Sequence, residues 1–145
     1  MTYARLFYHL TWSTKHRMSI IDASTEAILV KAFPGIARSE SCWTHAIGIM
    51  PEHVHMALTI PTRLAVADAV KAIKGSSSHL LRHEYAEGAP NWAGWQNEYG
   101  IVTFSEWTLP KILNYVTHQR EHHANDTLIP ELEREEREEE PVIIE

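Results

Sequence analysis

The chain has 145 residues, of which 44% are hydrophobic and 22% charged, the composition of a single soluble globular domain. No apolar run approaches the ~20 residues of a membrane-spanning helix, and the alternating N-terminus is unlike a secretory signal peptide. The single cysteine, Cys42, excludes a disulfide within the chain and fits a reducing, cytoplasmic setting.

The acidic net charge belongs to the C-terminus. Residues 1–130 carry 11 Lys and Arg against 11 Asp and Glu, whereas residues 131–145 carry 2 Arg and 8 Glu, a net charge of −6. We therefore expect one domain over residues 1–130 and an acidic tail over residues 131–145. The tail is an electrostatic brake on binding of a polyanion, a passive solubilising segment, or, through its apolar residues 141–144, a strand that docks on a sheet edge.

The spacing of apolar residues predicts seven elements in the order β-α-β-β-α-β-α. Strands are predicted over residues 4–14, 42–50, 53–60 and 99–105. Helices are predicted over residues 23–39, 65–84 and 109–124. This order indicates an α+β fold in which helices pack on a single antiparallel sheet of the ferredoxin or RRM type.

Local signals refine these elements. Asp22 or Ser24 is suited to cap the first helix, which Pro34 and Gly35 are expected to break or end early. The middle helix has a loose point at its Lys-Gly-Ser-Ser-Ser stretch. Pro110 falls in the first turn of the last helix, where its missing N–H does no harm.

The His53-Val54-His55 stretch lies on a predicted strand. Because side chains alternate along a strand, both histidines share one face, roughly 6.5–7 Å apart, while Val54 points into the core. Two imidazoles at this spacing can converge on one metal ion. For so short a pattern, a pair of exposed histidines on a wet sheet face is the alternative.

The last predicted helix places Tyr115 and Gln119 four residues apart on one face, with His118 and His122 on the same side. Tyr115 is either a core or rim aromatic of a surface helix or a nucleophile beside a metal to which Gln119 donates its oxygen. The first of these roles is the usual one for an isolated tyrosine.

A rival motif overlaps this helix. His118, Glu121 and His122 match H-x-x-E-H, the zinc site of inverzincin metallopeptidases, in which the glutamate is the general base. Such enzymes need a further ligand well downstream, and the 23 residues after His122 are mostly a glutamate run. The sequence therefore argues against a peptidase.

Five stretches, taken in order, resemble a known family: YHLTWSTKHR (8–17), GIMPEHVHMAL (48–58), AIKGSSSHLLR (72–82), WQNEYGIVTFS (95–105) and NYVTHQREHH (114–123). They resemble the single-tyrosine HUH transposases, the insertion-sequence-200-like group, including relatives associated with repetitive extragenic palindromes. HUH denotes His, a bulky hydrophobe and His, which here is His53-Val54-His55.

The resemblance implies an enzyme that cleaves and rejoins single-stranded DNA near hairpins. Tyr115 would attack a backbone phosphate and form a covalent 5′-phosphotyrosine, releasing a 3′ hydroxyl. His53, His55 and Gln119 would hold a divalent metal, magnesium or manganese, that polarises the phosphate. Glu52, beside the histidine pair, would orient a ligand or serve as a turn carboxylate.

The resemblance also implies a single-stranded DNA hairpin as partner. Basic side chains suited either to phosphate contacts or to a merely solvated surface are Lys15, Arg17, Lys71, Lys74 and Arg82. Aromatic side chains suited to stacking on unpaired bases, or to core packing, are Trp92, Trp95 and Tyr99. We expect a homodimer, although palindrome-associated relatives can be monomers. A domesticated copy that binds hairpins without cutting is the non-catalytic alternative, against which the intact tyrosine, glutamine and histidine pair argue.

Overall fold

The computed structural model describes residues 1–136, which form one antiparallel sheet with helices on both faces. The strands are β1 (Phe7–Ser13), β2 (Trp43–Ile49), β3 (His53–Thr59) and β4 (Gly100–Phe104). The helices are α1 (Ala23–Ser39), α2 (Val66–His79), α3 (Leu109–Thr117), α4 (Gln119–Ala124) and α5 (Pro130–Glu133). The strand order β2-β3-β1-β4 confirms the predicted α+β fold and makes β3 a central strand.

The two faces of the sheet differ in polarity. One face buries apolar side chains against α1 and α2, among them Leu10, Trp12, Val54, Met56 and Leu58. The opposite face, over which α3 and α5 lie, buries polar side chains: His9, Thr11, Ser13, His53 and His55. Because buried polar groups need partners, this second face is where specific polar contacts must be built.

Helix α1 confirms Asp22 as its cap, since Asp22 Oδ1 accepts a hydrogen bond from the Thr25 backbone N–H at 2.9 Å. The expected break at Pro34 is wrong, because the helix continues to Ser39. Proline removes the donor to the carbonyl four residues earlier, that of Val30, a residue that is 46% exposed and so lies on the solvent side of the helix. The buried side chain of Phe33 anchors the same turn in the core.

Two further boundaries differ from the prediction. Helix α2 passes through the Lys-Gly-Ser-Ser-Ser stretch without interruption, and the irregular part is a π-helical turn at Leu80–Glu84. The last predicted helix is two helices, α3 and α4, because His118 leaves helical geometry with φ −112° and ψ 34°. The break redirects the histidine-rich end of this segment.

No helix within residues 1–136 combines the length and the apolar character that crossing a membrane requires.

Gly48 of β2 permits α3 to lie directly on the sheet. A Cβ atom at this position would clash with the carbonyl oxygen of Val116 and would lie 3.0 Å from the Gln119 Cγ atom. We expect Gly48→Ala to destabilise the fold by about 1–3 kcal/mol, the usual cost of overpacking. Gly35→Ala is the matched control, because Gly35 lies in α1 with no atom within 4 Å of an added Cβ.

Urea unfolding followed by circular dichroism measures both variants. The control should be more stable by roughly 0.5–1 kcal/mol, since alanine loses less chain entropy than glycine in a helix. Equal stability of Gly48→Ala and the native chain would show that α3 is not in close contact with β2.

Candidate active site

His53 and His55 lie side by side on the polar face of β3. Their relative exposures are 1% and 0%, and their ring centroids are 4.9 Å apart. The alternative of an exposed pair on a wet sheet face is therefore wrong: the segment that runs from α3 to α5 covers them. Burial lowers the pKa of His53, so that the ring is neutral at physiological pH.

Each of these histidines has a partner on its Nδ1 atom. His53 Nδ1 lies 2.8 Å from Glu52 Oε1, and His55 Nδ1 lies 2.8 Å from His9 Nε2. When both Nδ1 atoms carry the proton and donate, both Nε2 atoms keep their lone pairs, which is the tautomer that metal binding requires. Burial and the neighbouring His55 lower the pKa of His9 to about 3, so His9 remains a neutral acceptor.

Four side chains converge beside this pair. One ligand atom each from His53, His55, His123 and Glu133 lies within 4.8 Å of every other. Glu133 Oε2 is 3.0 Å from His55 Nε2 and 3.6 Å from His53 Nε2, and Glu133 Oε1 is 3.5 Å from His123 Nε2.

The donor atoms of this cluster are arranged to favour a bound cation. The Nε2 atoms of His53, His55 and His123 are buried and make no hydrogen bond of acceptable geometry, although Glu133 lies at contact distance. In the tautomer protonated at Nδ1, the three Nε2 lone pairs would face this carboxylate and repel it, whereas a cation between them would satisfy all four groups. The cluster can therefore bind a metal ion.

Glu133 is held as an anion. Burial raises the pKa of Glu133. With a proton on the histidine Nε2 atoms, the hydrogen bonds from His55 and Tyr115 and the charges of His55 and His53 outweigh this effect and lower the pKa to about 2. The oxygen that accepts the Tyr115 hydrogen bond is Oε1, at 2.7 Å from the hydroxyl. Glu133 therefore brings a full negative charge beside the buried rings of His53 and His55.

Tyr115, in α3, is 2% exposed and lies in the same site. Its hydroxyl donates to Glu133 Oε1 at 2.7 Å and accepts a hydrogen bond from the Ile129 backbone N–H at 3.1 Å. Burial, followed by the hydrogen bond to Glu133, raises the pKa of Tyr115 well above its ordinary value. The phenol is thus fixed in its protonated form in this arrangement.

Gln119 is 2% exposed and begins α4, directly after the helix break. Its Nε2 donates to the Tyr115 carbonyl oxygen at 2.9 Å, while its Oε1 is buried without a protein partner. The amide oxygen that metal ligation would require is therefore available. This orientation keeps Gln119 beside the tyrosine despite the break at His118.

The H-x-x-E-H residues are not gathered into a site. His118 is exposed and contacts the Asn114 carbonyl oxygen at 2.8 Å, while the ring of His122 lies against Tyr115 with centroids 4.7 Å apart. Neither belongs to the four-residue cluster, and nor does Glu121. His118 and His122 keep the backbone hydrogen bond of an i, i+4 pair, but their rings contact different groups: His118 Nδ1 the Asn114 carbonyl oxygen and His122 Nδ1 the Thr127 hydroxyl. The two rings therefore do not form the zinc site that the peptidase alternative requires.

His123 and Glu133 were not predicted as site residues from the sequence. His123 lies in the His-rich run that follows Tyr115, but the helix break determines which histidine of this run faces the cluster. Glu133 is one of eight tail glutamates, so no local signal distinguishes it from the others. The position of α5 on the sheet is what selects it.

Two of the predicted DNA-contacting cations, Lys74 and Arg82, donate to backbone carbonyl oxygens of the protein itself. Lys74 Nζ donates to the carbonyl oxygens of three consecutive residues in the loop before β4: Gln96, Asn97 and Glu98. Arg82 donates to the Ala93 carbonyl oxygen at 3.2 Å. Both side chains stabilise the loop that leads into β4 through these hydrogen bonds.

Lys71 lines a cavity of about 380 Å³ together with Trp95, Tyr99 and the two loop-binding cations. Trp95 is only partly buried, and its indole N–H donates to Ser77 Oγ at 3.0 Å. Lys15 is exposed in the turn after β1, and Arg17 of the same turn pairs with Glu135 at 2.7 Å.

Comparisons with known proteins agree on one family. The family model described as IS200-like transposase matches residues 2–119. The ISDra2 transposase TnpA of Deinococcus radiodurans is 31% identical over 120 residues, covering 81% of this chain and 86% of the relative.

Solved structures show the same fold. A crystal structure from D. radiodurans R1, assigned as a transposase, has 29% identity and a TM-score of 0.62, covering 80% of this chain and 92% of that one. A REP-associated tyrosine transposase solved with a REP hairpin has 17% identity and a TM-score of 0.59, covering 85% of this chain and 74% of that one. Since the family model covers most of the chain and the TnpA relative is matched along most of its length, the chain belongs to the IS200-like transposase family.

Proposed function

We propose that this transposase cleaves and rejoins single-stranded DNA beside a hairpin, through a covalent 5′-phosphotyrosine on Tyr115 and with a divalent metal. The observation that carries the proposal is that one carboxylate contacts both the nucleophile and a metal donor. Glu133 lies 2.7 Å from the Tyr115 hydroxyl and 3.0 Å from His55 Nε2. A phosphate that replaced this carboxylate would likewise present oxygens between the nucleophile and the imidazole pair. The hairpin follows by analogy with the REP hairpin of the structural relative.

The chain's own donors fit a divalent ion. His53 and His55 offer buried lone pairs, and Gln119 offers an unpartnered amide oxygen. Two imidazoles, one amide oxygen and phosphate oxygens suit magnesium or manganese. When bound, such an ion would polarise the scissile phosphate and stabilise the charge that develops on it.

The proposed step exchanges one phosphodiester for another. The Tyr115 oxygen forms a bond to phosphorus and gives up its proton to solvent, while the bond from phosphorus to the 3′ oxygen breaks and that oxygen gains a proton. The downstream DNA remains linked through its 5′ phosphate to Tyr115. Attack by a 3′ hydroxyl reverses the step, so rejoining requires no nucleotide cofactor.

The proposal is tested by incubating the full chain with a pool of single-stranded hairpin DNA and manganese. A denaturing gel should show a covalent protein–DNA band that depends on the metal. Hairpin binding without any covalent band would favour the non-cleaving alternative instead. Release of amino acids from a casein substrate would revive the peptidase alternative.

The predicted phosphate contacts differ in their expected effects. Lys71→Ala should weaken hairpin binding and reduce the slope of log affinity against log salt by about 1, as loss of one phosphate contact does. Lys74→Ala should also lower the stability of the fold, since it removes three hydrogen bonds to loop carbonyls.

Fluorescence anisotropy over a salt series and urea unfolding separate these roles. An unchanged salt slope in Lys71→Ala would exclude a phosphate contact there. Unchanged stability in Lys74→Ala would show that the loop does not depend on that ammonium.

The homodimer remains a prediction. The nucleophile, the imidazole pair and Gln119 all come from one chain, so the proposed cleavage step does not require a second copy. Sedimentation with and without hairpin DNA measures the oligomeric state.

A further inference from the structure

His9 of β1 is a buried polar residue that the proposed cleavage step does not use. Its side chain is 1% exposed and lies on the polar face of the sheet, diagonally across the strand pair from His55. Thr11, which is directly opposite His55, donates its hydroxyl proton to the Val54 carbonyl oxygen at 2.9 Å instead. The partner that β1 offers to the His55 ring is therefore His9, whose Nε2 lies 2.8 Å from His55 Nδ1.

The direction of this hydrogen bond follows from the other nitrogen of His9. The His9 ring also hydrogen-bonds the backbone carbonyl group of its own residue. Because Nε2 faces His55, the nitrogen at that carbonyl is Nδ1, and a carbonyl oxygen can only accept. The proton of the neutral His9 ring therefore lies on Nδ1. Its Nε2 is a bare acceptor, and the proton between the two rings belongs to His55 Nδ1.

His55 has a competing acceptor at its other nitrogen. Glu133 Oε2 lies 3.0 Å from His55 Nε2 and would draw the proton of the ring toward that side. A proton on Nε2 would remove the lone pair that a metal ion needs. The hydrogen bond to His9 draws the proton to the opposite nitrogen, so that the Nε2 lone pair faces the donor cluster.

The two histidines of the pair have different partners behind them. His53 Nδ1 faces the Glu52 carboxylate at 2.8 Å, whereas His55 Nδ1 faces a neutral imidazole. The usual partner of a metal-binding histidine is a carboxylate, a backbone carbonyl or water. An imidazole fixes the ring in the same way but adds no negative charge beside a site to which a phosphate must come.

We infer that His9 is a positioning residue of the metal site, which holds His55 in the tautomer whose Nε2 lone pair is free for the ion. This inference rests on the proposed function, since it concerns the metal donors of the same site. It gives His9 a role that is exerted through His55 and needs no contact with the metal or with DNA. Loss of its acceptor nitrogen should therefore weaken metal binding even when no DNA is present.

The test compares His9→Phe, His9→Gln and His45→Phe in the full chain. Phenylalanine fills the space of the ring without an acceptor, whereas glutamine places an amide oxygen at about the position of the imidazole Nε2. His45 is the matched control, because its ring is partly buried on the same sheet and bonds Thr59 at 2.8 Å, outside the donor cluster. Manganese affinity is measured by calorimetry without DNA, and circular dichroism checks the fold.

His9→Phe should lower manganese affinity by about tenfold or more, the usual effect of losing the partner of a metal-binding histidine. His9→Gln should stay within about threefold of the native chain, because its oxygen accepts the same proton. His45→Phe should stay within about twofold, since its ring has no part in the donor cluster.

A magnetic resonance measurement on the native chain tests the direction of the hydrogen bond without any variant. The chain is labelled with nitrogen-15 and saturated with zinc, a diamagnetic probe that imidazoles bind. The proton should be attached to His55 Nδ1, and this nitrogen should couple to His9 Nε2 across the hydrogen bond. His9→Phe should lose the coupling.

Three results would overturn the inference alone. These are unchanged manganese affinity in His9→Phe, equal losses in His9→Phe and His9→Gln, and a proton on His9 Nε2 instead of His55 Nδ1. A native chain that binds neither manganese nor zinc would overturn the inference together with the proposed metal site. Absence of adduct with hairpin DNA, when the metal and resonance results are as expected, would contradict the proposed cleavage and still support the role of His9.

Discussion

Tyr115→Phe is expected to abolish the covalent protein–DNA adduct, a loss of about a thousandfold or more. Phenylalanine keeps the ring that packs in α3 but removes the only oxygen that the proposed step joins to phosphorus. Hairpin affinity should stay within a few-fold of the native value, because the hydroxyl is the reacting group rather than a binding contact. A denaturing gel and fluorescence anisotropy measure the two quantities.

Tyr85→Phe is the matched control. Tyr85 is 50% exposed and follows the π-helical turn after α2, so its hydroxyl should be irrelevant to the adduct. An adduct that persists in Tyr115→Phe would rule out Tyr115 as the sole nucleophile. Loss of the adduct in Tyr85→Phe would have the same implication.

The second large effect concerns the metal. His53→Ala and His55→Ala should each weaken manganese binding by about 100-fold or more and abolish cleavage, because each removes a buried lone pair from the cluster. Calorimetry measures the metal affinity, and the denaturing gel measures cleavage. Circular dichroism checks that the chains remain folded.

His118→Ala distinguishes this site from the rival motif. The His118 ring is exposed and contacts the backbone of its own helix, so its loss should leave manganese affinity unchanged. The peptidase alternative predicts the reverse pattern, with metal lost in His118→Ala and His122→Ala and kept in His53→Ala. His118→Ala is the cleaner variant of the two, since His122 also lies against Tyr115.

The fold was predictable because its signals are local. Alternation in β1 and β3 and the Met-Pro-Glu turn between β2 and β3 fix a sheet with one apolar face, and the structure confirms them. The errors occur where tertiary contacts outweigh local preference. Helix α1 passes Pro34 because its buried stripe continues beyond it, and the last helix breaks at His118 although nothing in that stretch resembles a stop signal.

The candidate site was predictable only where its members are close in sequence. A spacing of two on a strand places His53 beside His55, and a spacing of four keeps Gln119 beside Tyr115. His123 and Glu133 reach the site through the helix break at His118 and the packing of residues 129–135 on the sheet. Neither feature follows from a periodic pattern in the sequence. The apolar stretch at 141–144, expected as a docking strand, lies outside the described residues.

The tail illustrates the same limit. Its charge count predicts repulsion of a polyanion but does not indicate which carboxylate meets which group. In the structure, Leu132 packs in the apolar cluster that includes Tyr115, and Glu133 contacts the phenol and His55. Glu135 forms an ion pair with Arg17. The three roles offered for the whole tail remain predictions.

The most direct test of the central claim is mass spectrometry of the covalent adduct. The full chain is incubated with hairpin DNA and manganese, the adduct is digested with nuclease and trypsin, and the nucleotide-bearing peptide is sequenced. The proposed function predicts a nucleotide attached through its 5′ phosphate to Tyr115, within the peptide of residues 112–120, and a released DNA strand that ends in a 3′ hydroxyl. A nucleotide on any other residue, or a released strand that ends in a 3′ phosphate, would contradict it.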